Sequence, residues 1–119
     1  MTLALLEAFA EAFNRYDIDG LLALSTPDCV FESALGPAAC GTRDIGHAEL
    51  RDGYSKPWRT WPDAQWQEAT HVIAGDRGFS EWTLRGTGPS GGIEVRGCDL
   101  FVIRDDRIAR KDSLRKQRA

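Results

Sequence analysis

This sequence has few of the residues that mark secreted, metal-bound or membrane proteins. Its three cysteines, Cys29, Cys40 and Cys98, are scattered and follow no basic-then-apolar leader, so reduced thiols in the cytoplasm are expected rather than a disulfide framework. No apolar run approaches the ~20 residues that cross a bilayer. The two histidines, His47 and His71, stand apart, and neither His-x-x-x-His nor Cys-x-x-Cys spacing occurs to hold a metal. The glycine-rich stretch 86–92 lies between strand-like segments rather than ahead of a helix, so it is no phosphate cradle. A formal charge of −3 gives no footing for nucleic acid. The expectations are therefore no metal, no cofactor, no nucleic acid and no membrane.

What is present suits one α+β domain over residues 1–119. At 42% apolar and 28% charged residues the composition is that of an ordinary globule, and a chain of this length buries roughly 65% of the surface it exposes when unfolded. Leu6, Phe9, Ala10 and Phe13 recur at helical spacing, widened by Leu5, Ala12 and Tyr16, and Thr2 is placed to cap a helix reaching about Tyr16. Asp17 caps a short second helix whose Ile18, Leu21, Leu22 and Leu24 face inward, and the segment 25–28, Ser-Thr-Pro-Asp, ends it. A strand at 29–33, a surface loop at 35–45 and a third helix over about 46–60 follow, the helix weakened by Gly53 and Pro57. Strands are expected at 65–74 and 79–85, joined by a tight turn at 75–78.

The stretch 95–113 organises the rest. β-Branched and aromatic residues crowd 95–104 and 107–116, with Asp105 and Asp106 as the turn of a hairpin. Alternation puts Gly97, Asp99, Phe101 and Ile103 on one face and Arg96, Cys98, Leu100 and Val102 on the other. Asp99 thus stands in an otherwise apolar row. A buried carboxylate must reach water, accept hydrogen bonds or hold a proton. The basic residues Arg107, Arg110, Lys111, Arg115, Lys116 and Arg118 read as a solvated strand end. Helices at one end of an antiparallel sheet that curls over them leave a conical pocket, a common place for a small ligand.

This order of elements, with the segments FNRYDIDGLLALSTPDCVFE and GHAELRDGY and the hairpin arms RGCDLFVI and RDDRI, resembles the nuclear transport factor 2-like superfamily, and within it the SnoaL-like branch. The resemblance implies a curved sheet whose concave face lines the pocket and whose convex face makes a homodimer. It implies no single activity, because the superfamily holds steroid isomerases, polyketide cyclases, epoxide hydrolases, dehydratases and proteins without known chemistry. Matching to the ketosteroid isomerases through Asn14, Asp17, Asp19 and Gly20 puts Phe9 where they carry a tyrosine oxyanion donor and Ser33 where they carry the general base. Asp99 falls on their second oxyanion donor, a protonated aspartate, and Tyr54 on a tyrosine that supports the network. With no hydroxyl at Phe9 and no base at Ser33, the isomerase mechanism is not expected. Epoxide hydrolases and cyclases place an aspartate on the last strand where this chain has Ser113. Asp112, one residue short, faces away unless a bulge intervenes, leaving Lys111, Ser113 and Arg115 toward the pocket. The arginine and aspartate of the hydrolases fall on Trp82 and Leu84.

The candidate catalytic residues are Asp99, as a site acid or else a structural carboxylate, His71, in phase with Gln67, Ala69 and Ile73 and able to face Asp99 across the sheet, and Tyr54 as a supporting donor. Phe9, Phe13, Phe31, Phe101, Trp58, Trp61 and Trp82 would wall a cavity for a flat apolar ligand, with Ser33, Leu84 and Ser113 beside them. Glu81 and Glu32 fall on the opposite phase. Two functions stay open: a cofactor-independent isomerase, cyclase or lyase that moves a proton in an aromatic pocket, and a non-catalytic ligand-binding or dimerisation domain. The partner in either case is a small apolar or aromatic molecule.

Overall fold

Leu5, Leu6, Phe9, Ala12 and Phe13 share one face of helix α1 (Leu3–Asn14), and all five are buried. The computed structural model describes residues 3–119, so the cap expected at Thr2 lies outside the described residues. Asp17 does cap helix α2 (Ile18–Ala23): its side chain accepts a hydrogen bond from the Gly20 amide at 2.9 Å. Helix α3 (His47–Thr60) buries Leu50, Gly53 and Tyr54. Gly53 has a packing reason, since a Cβ there would lie 2.2 Å from the Asp44 carboxylate.

The strands are β1 (Ser25–Glu32), β2 (Arg43–Ile45), β3 (Gln65–Ala74), β4 (Arg77–Gly86), β5 (Ile93–Arg104) and β6 (Arg107–Arg115). They form one sheet in the order β2-β1-β6-β5-β4-β3, antiparallel except where β1 runs parallel to β6. The fold is α+β, as expected. The β5–β6 turn consists of Asp105 and Asp106 alone, both at positive φ (54° and 58°), the conformation whose twist matches a two-residue hairpin.

Three segments differ most from the sequence reading. The segment 25–28 is the start of β1 and not a helix terminator; Pro27 is tolerated because the pairing of β1 with β6 is interrupted between Ser25 and Val30. The loop at 35–45 ends in a strand, β2, too short to show alternation. β4 starts at Arg77, since Gly75, at φ 60°, lets the chain reverse in two residues.

Two bulges set which side chains face inward. One lies in β3 between Gln67 and Thr70, where Glu68 takes a φ of 58°. The other lies in β6, where Ile103 pairs with Ile108 and Val102 with Arg110, so that Ala109 is the extra residue. Beyond it, Lys111 and Ser113 are buried and Arg115 half-buried, against the concave face. The concave face and the helices enclose the core of Phe9, Phe13, Tyr54, Phe101, Ile103 and Ile108. On the convex face Val72, Leu100 and Leu114 are about half exposed.

Candidate functional site

One cross-strand row carries most of the polar chemistry. His71 pairs with Ser80, Ser80 with Asp99 and Asp99 with Ser113, so four polar residues cross the concave face side by side. Of the three fates open to a buried carboxylate, Asp99 has the second. The Trp82 indole N–H donates to its Oδ2 at 2.9 Å, and the Ser113 hydroxyl donates to Oδ1 at 2.5 Å. Lys111 Nζ donates in turn to Ser113 Oγ at 3.0 Å and lies 3.6 Å from Asp99 Oδ1. Asp99 is 7% exposed and Lys111 6%, so the ion pair is dry and its Coulomb attraction is little screened.

Lys111 is held from the other side by aromatic rings. Its Nζ lies 4.6 Å from the ring centres of both Phe13 and Phe31 and 5.6 Å from that of Tyr54, faces that attract a cation. Burial nevertheless pulls the Lys111 amine below the usual lysine range, with the Asp99 charge acting in opposition. Burial also pushes the Tyr54 phenol well above its ordinary value, with the Ser25 side chain acting in opposition; its hydroxyl lies 3.8 Å from the Cys29 thiol. Burial lowers the His71 imidazole, against the charges of Glu7 and Asp99.

These residues border two hollows. The larger, about 490 Å³, opens between β1, the C-terminal half of α3 and the concave sheet. Phe13, Phe31 and Tyr54 line its depth; Trp61, Trp66, Trp82 and Leu84 form a wall; Ser33, Ser113, Lys111 and Arg115 supply polar atoms. The smaller, about 20 Å³, room for roughly one water, lies between Phe9, Phe101, Ser80 and Asp99. Phe13, Trp66, Trp82 and Lys111 border both and separate them. A third depression, about 560 Å³, is lined mostly by charged side chains that already pair with one another, Arg85 with Glu68 and Glu94, and Arg96 with Glu81. Its apolar lining is confined to Trp82 and Val95, less than a small-molecule site usually carries.

The structure therefore brings Phe13, Phe31, Ser33, Tyr54, Trp61, Trp82, Leu84 and Ser113 together around the larger cavity, with Phe9, Phe101 and Asp99 in the layer behind it. Trp58 is elsewhere: it packs edge-on to Phe13 and Tyr16 and joins the two apolar clusters instead of facing the cavity. His71 is on the same face as Asp99, but its Nδ1 shares a 2.7 Å hydrogen bond with Ser80 Oγ. It shares that face with Trp66 and Ile73; the bulge at Glu68 sends Gln67 to the other side, contrary to simple alternation. Asp112 points outward with Glu32, whose carboxylate is clasped by Arg43 and Arg110. Lys111 and Arg115 line the cavity, as their phase with Ser113 implies, and are not part of the solvated strand end that their charge suggests. Counting alternate positions from Ser113 places both inside; their charge pointed the other way.

Among the described residues, no three His, Cys, Asp or Glu side chains group as metal ligands, and no helix is long and apolar enough to cross a membrane.

A curved sheet packed on N-terminal helices, with an aromatic cavity on its concave face, is the architecture the family resemblance implies. The family model described as a SnoaL-like domain matches residues 6–111. The chain belongs to the SnoaL-like family. A search of the curated proteins finds no match. Among solved structures, an NTF2-like protein of unknown function from Mesorhizobium loti is 25% identical, with a TM-score of 0.79 over 97% of this chain and 90% of that one. A protein of Xanthomonas campestris pv. campestris assigned provisionally to the polyketide cyclases is 24% identical, with a TM-score of 0.82 over 94% and 87%. TerC, co-crystallised with polyporic acid, is 18% identical, with a TM-score of 0.79 over 96% and 90%. These likenesses establish the NTF2-like fold of this SnoaL-like chain.

Proposed function

We propose that this SnoaL-like chain is a single-domain, cytoplasmic, cofactor-independent enzyme of the isomerase, cyclase or lyase type, which binds a flat carbonyl compound in the aromatic cavity and moves a proton on it. The observation that carries the reading is the Asp99–Ser113–Lys111 cluster at the cavity wall: a carboxylate, a hydroxyl and an ammonium in hydrogen-bond sequence inside an apolar enclosure. Lys111 Nζ lines the cavity beside Ser113 and would hold the carbonyl oxygen as it gains negative charge. Ser113 Oγ would accept the carbon-bound proton while its own proton passes to Asp99 Oδ1. His71 and Tyr54 act at one remove, His71 through Ser80 and Tyr54 by fixing the floor under Lys111. Trp61, Trp66 and Trp82 provide the flat walls. TerC, which shares the fold, was crystallised with polyporic acid, a small aromatic compound, and that supports an aromatic ligand here. The exposed Val72, Leu100 and Leu114 on the convex face support a homodimer built there.

The test is proton exchange. Flat ketones such as 2-tetralone, incubated with the protein in D2O and followed by NMR, should lose their α-protons faster than in buffer, and Asp99→Asn should abolish the acceleration.

One observation favours a second reading, a non-catalytic binding domain. Both Asp99 oxygens are already occupied by Trp82 and Ser113, and Asp99 borders the small hollow, not the large one. That reading predicts saturable binding of the same ketones with no exchange above background.

A further inference from the structure

Arg115 ends β6 with its guanidinium on the wall of the larger cavity, half-buried and stacked 5.7 Å from the Trp61 ring. Among the described residues it has no carboxylate and no hydrogen-bond acceptor. Every other arginine except the exposed Arg107 of the hairpin has a carboxylate partner. A guanidinium presents a rigid fork of five N–H donors, and burying it without an acceptor is costly. Consistent with that cost, burial pulls Arg115 below the usual arginine range, opposed only by the charge of Asp99.

The remaining charges of the cavity point the same way. No aspartate or glutamate lines it, whereas Lys56, Arg59, Lys111 and Arg115 do. Arg59 is neutralised by Asp52, Lys56 stands near Asp44, and Lys111 is neutralised by Asp99. Of the two without an ion pair among the described residues, Lys56 is exposed to water, whereas Arg115 is half-buried and lies against a tryptophan face.

We propose that the cavity is built for a planar aromatic ligand that carries an ionised oxygen, a carboxylate, phenolate or enolate, which Arg115 binds while Trp61 stacks against the guanidinium. This rests on the reading of the cavity as a site for flat molecules and adds the charge of the ligand. An oxyanion on Arg115 meets two parallel N–H donors, the geometry in which arginine binds carboxylates best. Trp61 holds the fork in orientation, so little side-chain freedom is lost on binding.

The probes are 2-naphthoate and 2-naphthamide, equal in shape and different in charge, titrated by calorimetry at pH 7. The wild-type chain is expected to bind the naphthoate about ten- to a hundredfold more tightly than the amide. Arg115→Gln should erase that preference, weakening the naphthoate far more than the amide, and Arg115→Lys should restore part of it. Because Arg115 has no hydrogen bond or ion pair to lose among the described residues, both variants should stay folded, with helix and strand content unchanged. Equal affinity for the two probes, or a preference that survives Arg115→Gln, overturns the proposal while leaving an aromatic-binding cavity intact. Binding of neither probe overturns both.

Discussion

The Lys111 ammonium lies 3.6 Å from the Asp99 carboxylate, inside a ring of three aromatic faces, and nearly all of both side chains is buried. The pair is asymmetric. Asp99 keeps Trp82 and Ser113 as donors if Lys111 is removed, but among the described residues Lys111 has no other carboxylate if Asp99 is removed.

Asp99→Ala should therefore destabilise the fold by about 3 kcal/mol, the usual cost of leaving a buried charge unpaired. Lys111→Met should cost clearly less, and the double variant should show a coupling of about 1–3 kcal/mol. Urea unfolding of the four proteins measures all three quantities.

Gly97 lies across from Trp82, where a Cβ would sit 2.5 Å from the indole ring and 2.6 Å from the Leu114 carbonyl. Gly97→Ala should displace the indole, break its hydrogen bond to Asp99 and cost about 1–3 kcal/mol. A red shift of tryptophan emission together with a lower melting temperature would report it.

The His71 imidazole is held below its ordinary value by burial, with Glu7 and Asp99 opposing. As pH falls through about 6.5 the unfolded chain takes up the proton first, so the fold loses stability until folded His71 is protonated as well. The urea midpoint should fall between pH 7.5 and pH 5.5, and His71→Gln should flatten that slope.

On the convex sheet, Leu100 and Leu114 are exposed in adjacent registers of β5 and β6. If this face joins two copies, Leu100→Lys should convert a dimer to a monomer in sedimentation without lowering helix or strand content. A wild-type chain that sediments as a monomer would refute the dimer.

What the sequence disclosed depended on whether a strand was regular. β5 runs without a bulge in its Asp99 to Val102 segment, so plain alternation put Asp99, Phe101 and Ile103 on the inner face, where they are. β3 carries a bulge at Glu68, a residue with no local preference for positive φ, so the neighbours of His71 could not be read by counting. Trp58 was misplaced for another reason: helical spacing shows that a side chain faces inward but not whether it meets a cavity or the packed core. Lys111 and Arg115 fell in the inward phase of β6, yet hydropathy alone does not separate a cation in water from one enclosed by aromatic rings.

The most direct test of the aromatic cavity is the set of four indole N–H signals in an 15N NMR spectrum, followed as 2-naphthoate or 2-tetralone is added. Trp61, Trp66 and Trp82 line the cavity and Trp58 does not. The account predicts saturable shifts of the first three, largest at Trp61 and Trp82, with Trp58 nearly unmoved. Shifts absent throughout, or as large at Trp58 as at Trp82, would contradict it.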